Sequence, residues 1–111
     1  MQQLQDMRLL EHIGLTRNEA FVYLELLKTG PTIAKNLTRV TNMHRTSVYN
    51  CLHRLHKKGL VAVSVFNSKT HFEAVDPSKL LSLVKEREER LKNILPELKK
   101  LRDTKFYTKH E

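Results

Sequence analysis

The chain has 111 residues, and its 40% hydrophobic content is enough for one small domain with one modest core. It has no apolar run that could span a membrane, no secretion signal at its polar N terminus and a single cysteine, which together exclude a membrane-embedded or disulfide-stapled fold and favour the cytoplasm. The formal net charge of +8 is concentrated between residues 31 and 75, a segment that contains seven Lys and Arg residues and only one acidic residue. Such a basic segment suits a polyanionic partner.

The first part of the chain is predicted to form two short helices. Residues 4–13 have helical periodicity, and Gly14 ends this helix. Thr16 followed by Glu19 fits a capping box at the start of the second helix, which stops at Gly30-Pro31. The residues predicted to point inward from the first helix are Leu9, Leu10 and Ile13.

The segment from residue 30 to 60 has the pattern of a helix-turn-helix. Its first helix is predicted to be capped by Thr32, and the break follows at residues 41–44. Asn42 lies in this break and tolerates a left-handed backbone. The next helix is predicted over residues 45–58. The buried stripe predicted for the first of these two helices is Ile33, Ala34, Leu37 and Val40.

The helix at 45–58 is predicted to have one apolar and one basic side. At about 100° per residue, Val48, Cys51, Leu52 and Leu55 fall on one side. Cys51 is therefore predicted to be a buried small hydrophobe and not a redox switch. The other side carries basic and hydrogen-bonding residues and no acid. The residues of this helix predicted to contact DNA are Arg45, Thr46, Ser47, Tyr49, Asn50, His53, Arg54 and Lys57.

A β-hairpin is predicted directly after this helix. The run VAVSVF alternates, with Val61, Val63 and Val65 on one face, and residues 67–69 form the turn before the return strand THFEAV. A hairpin in this position is the wing of a winged helix-turn-helix. Lys69 at its tip is predicted to contact DNA phosphate or the minor groove.

The C-terminal segment is predicted to form one long helix that begins at Asp76-Pro77. Arg87 is the only polar interruption of its heptad seam, and Pro96 is predicted to kink it. The chain thus divides into a DNA-binding domain at 1–76 and a coiled-coil-like dimerisation helix at 77–111. A helix folded over its own domain is the alternative. The predicted dimer seam consists of Leu80, Val84, Leu91, Ile94, Leu98 and Leu101.

No catalytic or metal-binding pattern is found in the sequence. It lacks a nucleophile elbow, a phosphate-binding loop and a convergent carboxylate pair. His53 and His56 are three residues apart on one helix, but no third ligand follows at a matching spacing. We therefore expect neither an enzyme nor a bound metal or cofactor. The sequence does not indicate a small-molecule effector.

The stretch from GLTRNEAFVYLELLKTG through HRTSVYNCLHRLHKKGLV to THFEAVDPSKLL resembles the winged-helix domain of archaeal TrmB-type transcription regulators. The resemblance covers roughly residues 10–83. It implies an archaeal-type, cytoplasmic, nucleoid-associated DNA-binding regulator that is dimeric, here without the family's C-terminal sugar-binding domain. Asn42 and His44 stand where such turns often have glycine and proline. The matching features are Gly14-Leu15-Thr16, Glu19-Ala20, Tyr23, Leu26-Leu27, Gly30-Pro31, Ala34, Arg45, Val48-Tyr49, Leu52, Leu55 and Lys58-Gly59-Leu60-Val61.

The resulting prediction is a mainly α-helical protein with a small β-hairpin that binds double-stranded DNA sequence-specifically as a homodimer. Repression by covering a promoter is the expected mode. The two alternatives are an architectural chromatin protein without sequence preference and a winged helix used for protein contacts. Thr46, Ser47 and Asn50 favour a sequence reader, since an architectural protein needs only Lys and Arg.

Overall fold

The computed structural model describes the backbone of residues 2–110 and the side chains of residues 2–104. It confirms the predicted winged helix-turn-helix with a long C-terminal helix. The helices are α1 (Gln2–His12), α2 (Arg17–Thr29), α3 (Ala34–Thr41), α4 (Arg45–Lys57) and α5 (Leu80–His110). The strands are β1 (Thr32–Ile33), β2 (Val61–Phe66) and β3 (Lys69–Ala74). Because α5 extends beyond the other elements, the molecule measures 70 × 30 × 26 Å.

The core lies between α1 to α4 and the base of the sheet. All four residues of the predicted apolar side of α4 are buried in it, which confirms that prediction. Leu9 and Val40, however, were predicted to be buried and are exposed. The short α1 packs mainly on α2 through Leu10, and α3 packs on α2 and α4 through Ala34 and Leu37, so each helix buries a narrower stripe than its periodicity suggested.

The capping box at the start of α2 is confirmed. The backbone N–H of Glu19 donates to Thr16 Oγ1 at 3.1 Å, and the backbone N–H of Thr16 donates to Glu19 Oε1 at 2.8 Å. Two of the N–H groups that a helix start leaves without partners are thereby satisfied. The same contacts fix the position of the Glu19 carboxylate.

Thr32 does not cap α3, contrary to the prediction. It lies in β1 and pairs with Phe72 of β3, while Ile33 precedes α3 without a side-chain capping bond. The sheet therefore has three antiparallel strands in the order β1-β3-β2 rather than the two of a lone hairpin. The added pairing attaches the wing to the start of α3.

The break between α3 and α4 has the predicted left-handed residue. Asn42 has φ 58° and ψ 27°. At the other end of α4, Gly59 has φ 78°, and the Leu60 N–H donates to the Leu55 carbonyl oxygen at 2.9 Å. This is a Schellman motif, which explains why α4 ends where glycine was predicted to end it.

The wing turn is tighter than predicted. Asn67 and Ser68 have φ values of 51° and 62°, as a two-residue type I′ turn requires, and Lys69 already belongs to β3, where it pairs with Phe66. Of the β2 face predicted from alternation, Val61 is buried but Val65 is 74% exposed. The hairpin extends past the core, so only its base is covered.

The long helix α5 begins after a short 3₁₀ turn at Pro77–Lys79. The Asp76 carboxylate caps this turn by accepting the Ser78 N–H at 2.8 Å. The helix continues through Pro96, which therefore does not end it. Among the helices the structure describes, none is both long and apolar enough to cross a membrane.

Candidate nucleic-acid interface

The predicted DNA-contacting residues lie on α4 and on the wing, and nearly all of them are exposed. Along α4, Ser47 is half-buried, and the other predicted contact residues are exposed, as is Lys69 on the wing. No acidic residue lies on α4, so nothing within this helix opposes the approach of a phosphate backbone.

Tyr49 connects α4 to the wing. The Arg45 guanidinium carbon lies 5.7 Å from the centre of the Tyr49 ring, and the Phe72 ring meets that ring edge-on at 6.5 Å. A cation over an aromatic face and an edge-to-face ring pair are both attractive. These contacts hold the start of α4 in a fixed position relative to β3.

Two further cations lie beside α4 that were not predicted as site residues. Lys35 and Arg39 of α3 line a groove of about 370 Å³ together with Arg45 and Tyr49. Lys35 also lies with Lys69 along a smaller groove beside the wing. The basic surface therefore spans α3, α4 and the wing. Both residues belong to the basic segment 31–75, which was the only sequence signal for them.

Arg54 has a partner within the protein. Its Nε donates to Glu19 Oε2 at 2.8 Å, and Lys58 Nζ donates to Glu19 Oε1 at 2.6 Å. Glu19 is 0% exposed, so one buried carboxylate holds Arg54 of α4 and Lys58, the residue that follows this helix. Contact between Arg54 and DNA stays a prediction, while the structure shows a bond that fixes α4 against α2.

The pKa of Glu19 reflects these contacts. Burial by itself raises the pKa, but the hydrogen bonds from Lys58, from the Thr16 backbone and from Arg54 outweigh it and hold the pKa below its ordinary value. The carboxylate is therefore charged at neutral pH. No sequence pattern pointed to this network, because the capping box explained Glu19 without it.

The surroundings of Cys51 and His56 fit a structural role for both side chains. Burial raises the pKa of the Cys51 thiol, so little of the reactive thiolate is present at neutral pH. His56 Nδ1 lies 2.9 Å from the Val61 carbonyl oxygen, a hydrogen-bond distance. Within the described residues, no three His, Cys, Asp or Glu side chains are grouped so that they could hold a metal ion.

The predicted dimer seam is largely uncovered. Leu91 is 52% exposed and Ile94 is 51% exposed, and Val84, Leu98 and Leu101 are exposed as well. Leu80 differs, because it packs against the domain's own core. A helix folded over its own domain would have buried the rest of the seam, so this alternative does not describe the structure beyond the first turns of α5.

Comparison with known proteins identifies the family. The family described as sugar-specific transcriptional regulator TrmB matches residues 10–78. The HTH-type sugar sensing transcriptional regulator TrmBL1 of Pyrococcus furiosus is 34% identical over 77 residues, which are 69% of this chain and 22% of TrmBL1. The chain thus spans about a fifth of that relative's length.

Solved structures share the fold. TrmBL2, described as an archaeal chromatin protein with a novel mode of DNA binding, matches with a TM-score of 0.80 and 24% identity, over 97% of this chain and 42% of its own. YusO from Bacillus subtilis matches with a TM-score of 0.58 and 20% identity, over 97% of this chain and 83% of its own. Since the family match includes every element from α2 to β3 and more than half of the sequence, the chain belongs to the TrmB family, a family of transcription regulators and not of enzymes.

Proposed function

We propose that this chain binds double-stranded DNA sequence-specifically as a homodimer and represses transcription by covering promoter DNA. In this proposal α4 enters the major groove, and the wing and α3 contact the flanking phosphates. The observation that carries it is the continuous exposed surface of α3, α4 and the wing, on which cations surround short polar side chains. Sugar specificity is not part of the proposal, because the residues matched by the family lie in the winged domain.

Base reading is assigned to the polar residues of α4. Thr46 and Asn50 are exposed, one turn apart, and neither side chain has a hydrogen-bond partner among the described residues. An asparagine in the major groove can pair with the N6 and N7 atoms of adenine, and a threonine can accept, donate or contact a thymine methyl group. Arg45, which lies over the Tyr49 ring, and Lys69, which follows the wing turn, are assigned to phosphate.

Dimerisation is assigned to the exposed seam of α5 from Val84 to Leu101. Such a stripe on a helix that extends away from its own domain is the usual interface of a coiled coil. A second copy of the chain has the same stripe, so the two can pair with closed symmetry. Two linked winged domains would then contact two half-sites about one helical turn apart, or a multiple of it.

An architectural role is the second candidate function. The cations of α3, α4 and the wing would serve it without any base contact. TrmBL2, which has the same fold, is described as a chromatin protein. A genome-wide occupancy map separates the candidates, because a regulator gives few sharp peaks and an architectural protein gives broad coverage. The lack of either signal would instead favour the protein-contact alternative.

A further inference from the structure

We propose that the cleft between the end of α4 and the first half of α5 binds a small anion with two or more negative charges, of phosphate or carboxylate chemistry. The cleft has a volume of about 310 Å³, near the lower end of the range for ligand pockets. Its lining residues are Arg54, Lys57, Lys58, Leu83, Glu86, Arg87 and Arg90.

The cleft has a large excess of positive charge. Five of its lining residues are cations and only Glu86 is an acid, and with Glu19 buried beneath it the formal balance is +3. Both acids are already engaged: Glu86 accepts from Arg90 Nη2 at 2.8 Å, and Glu19 accepts from Arg54 and Lys58. Clefts lined by charges of one sign concentrate ions of the other sign.

Two of the cations, Lys57 and Arg87, differ from the other three that line the cleft. Neither Lys57 nor Arg87 has an ion pair or a side-chain hydrogen bond within the described residues. The two lie on opposite walls of the cleft, Lys57 on α4 and Arg87 on α5. An anion with two charged groups would match this arrangement, with one group for each wall.

Arg87 of α5 lies close to the backbone of the DNA-binding domain at Gly14. It is the polar interruption of the α5 seam, where a charge weakens a coiled coil. Its guanidinium lies so close to Gly14 that a Cβ atom there would be 2.3 Å from Arg87 Nη2. Gly14 thus leaves room for the arginine, and a role at the cleft explains why the seam is interrupted at this position.

The cleft borders the DNA face, because Arg54 and Lys57 belong to both. A bound anion would neutralise cations that the DNA phosphates also attract, and it would therefore weaken DNA binding. This consequence rests on the proposed function. The binding site itself does not, since it can be tested without DNA.

The test is calorimetric titration of the full chain with pyrophosphate and, separately, with citrate, in an amine buffer at about 100 mM chloride, where exposed charges are screened beyond about 10 Å. We expect saturable binding of at least one probe with one site per chain. Arg87→Gln should weaken it by about 10-fold to 100-fold, the usual effect of losing a hydrogen bond to a charged group. Lys85→Gln is the matched control, because Lys85 lies on the same helix, is exposed and does not line the cleft.

Circular dichroism checks that Arg87→Gln is folded, and Arg90→Gln replaces it in the titration if it is not. The proposal is overturned if neither probe saturates, or if Lys85→Gln weakens binding as much as Arg87→Gln does. It is also overturned if the probes do not bind while Arg87→Gln reduces DNA affinity and its salt dependence, since the cleft would then be a contact for DNA phosphate. Unequal binding of pyrophosphate and citrate would identify which anion chemistry the site prefers.

Discussion

The buried carboxylate of Glu19 makes the stability of the DNA-binding domain sensitive to one substitution, Glu19→Gln. Glutamine keeps an oxygen that can accept the Thr16 N–H, so the capping box is retained. It loses the negative charge that accepts from Arg54 at 2.8 Å and from Lys58 at 2.6 Å. The substitution therefore measures the contribution of the ion pairs separately from that of the helix cap.

The expected loss follows from the geometry. Hydrogen bonds to a charged group contribute about 1.5–3 kcal/mol each, and two of them lose their charge. Part of this is recovered, because a neutral amide costs less to bury and because the Lys58 and Arg54 side chains are 26% and 46% exposed and regain water. We expect a net decrease of about 2–3 kcal/mol in the free energy of unfolding, less than the ~3–5 kcal/mol for breaking a fully buried pair.

The loss should depend on pH in one direction. The folded pKa of Glu19 lies below the ordinary value of 4.5, so the charged form stabilises the fold above pH 4.5. That stabilisation disappears as the pH falls through the folded pKa, where the carboxylate takes up a proton. The difference between wild type and Glu19→Gln should therefore be constant near neutral pH and should shrink below pH 4.5.

Urea denaturation followed by circular dichroism at several pH values measures this difference. Glu25→Gln is the matched control, since Glu25 lies on the same helix and pairs at 3.6 Å with Lys28, whose side chain is 53% exposed. It should cost less than about 1 kcal/mol. A Glu19→Gln variant within about 0.5 kcal/mol of wild type at pH 7, or a difference that persists unchanged in acid, would refute the reasoning.

Three further predictions concern DNA contact, packing and assembly. Asn50→Ala should weaken the binding free energy by about 1–3 kcal/mol on a selected DNA site and by less on random DNA, whereas Lys69→Ala should weaken binding to the two DNAs equally and lower the salt slope by about one. Fluorescence anisotropy measures the affinity of each variant. Equal losses for the two variants on both DNAs would contradict the division of roles. Cys51→Ala should lower stability by about 1 kcal/mol in thermal unfolding and leave DNA affinity intact. If an oxidant abolished DNA binding by the wild type but not by Cys51→Ala, this prediction would be contradicted. Leu91→Glu with Leu98→Glu should give a folded monomer whose operator affinity falls by roughly 10²–10⁴; a wild type that sediments as a monomer at tens of micromolar would contradict the assignment.

Much of the fold was predictable because its signals are local. The 3.6-residue period of α4 fixes which side is buried, and that side agrees with the structure at all four positions. The capping box at Thr16 and Glu19 and the left-handed Asn42 are also set within a few residues of chain. Features of this kind follow from the backbone preferences of residues that are close together in the sequence.

Features that depend on distant residues were missed. Strand β1 is two residues long and exists because it pairs with β3, about 40 residues away in the chain, so Thr32 was assigned to a cap instead. The Glu19 bond to Arg54 joins residues 35 positions apart. The angular position of Arg54 placed it on the outward side of α4, but it could not show that a buried carboxylate lies within reach. The predicted DNA-contacting and dimer residues stay predictions for the same reason, because their partners lie outside the chain.

The Glu19 bond also changes how an Arg54 substitution must be interpreted. Arg54→Ala removes a predicted DNA contact, but it also leaves Glu19 with one cation and weakens the attachment of α4 to α2. A loss of DNA affinity would therefore not by itself place Arg54 on the DNA. Glu19→Gln separates the two roles, because it releases the guanidinium and keeps its charge.

If Arg54 binds phosphate, Glu19→Gln should leave DNA affinity unchanged or increase it, since no acid then competes for the guanidinium. If Arg54 acts only by orienting α4, Glu19→Gln should reduce affinity about as much as Arg54→Ala does, and the double variant should lose little more than either single one. Fluorescence anisotropy at a temperature where all variants are folded decides between them. We expect the first result, because Arg54 remains 46% exposed while bonded to Glu19, so its guanidinium can face DNA and the carboxylate together.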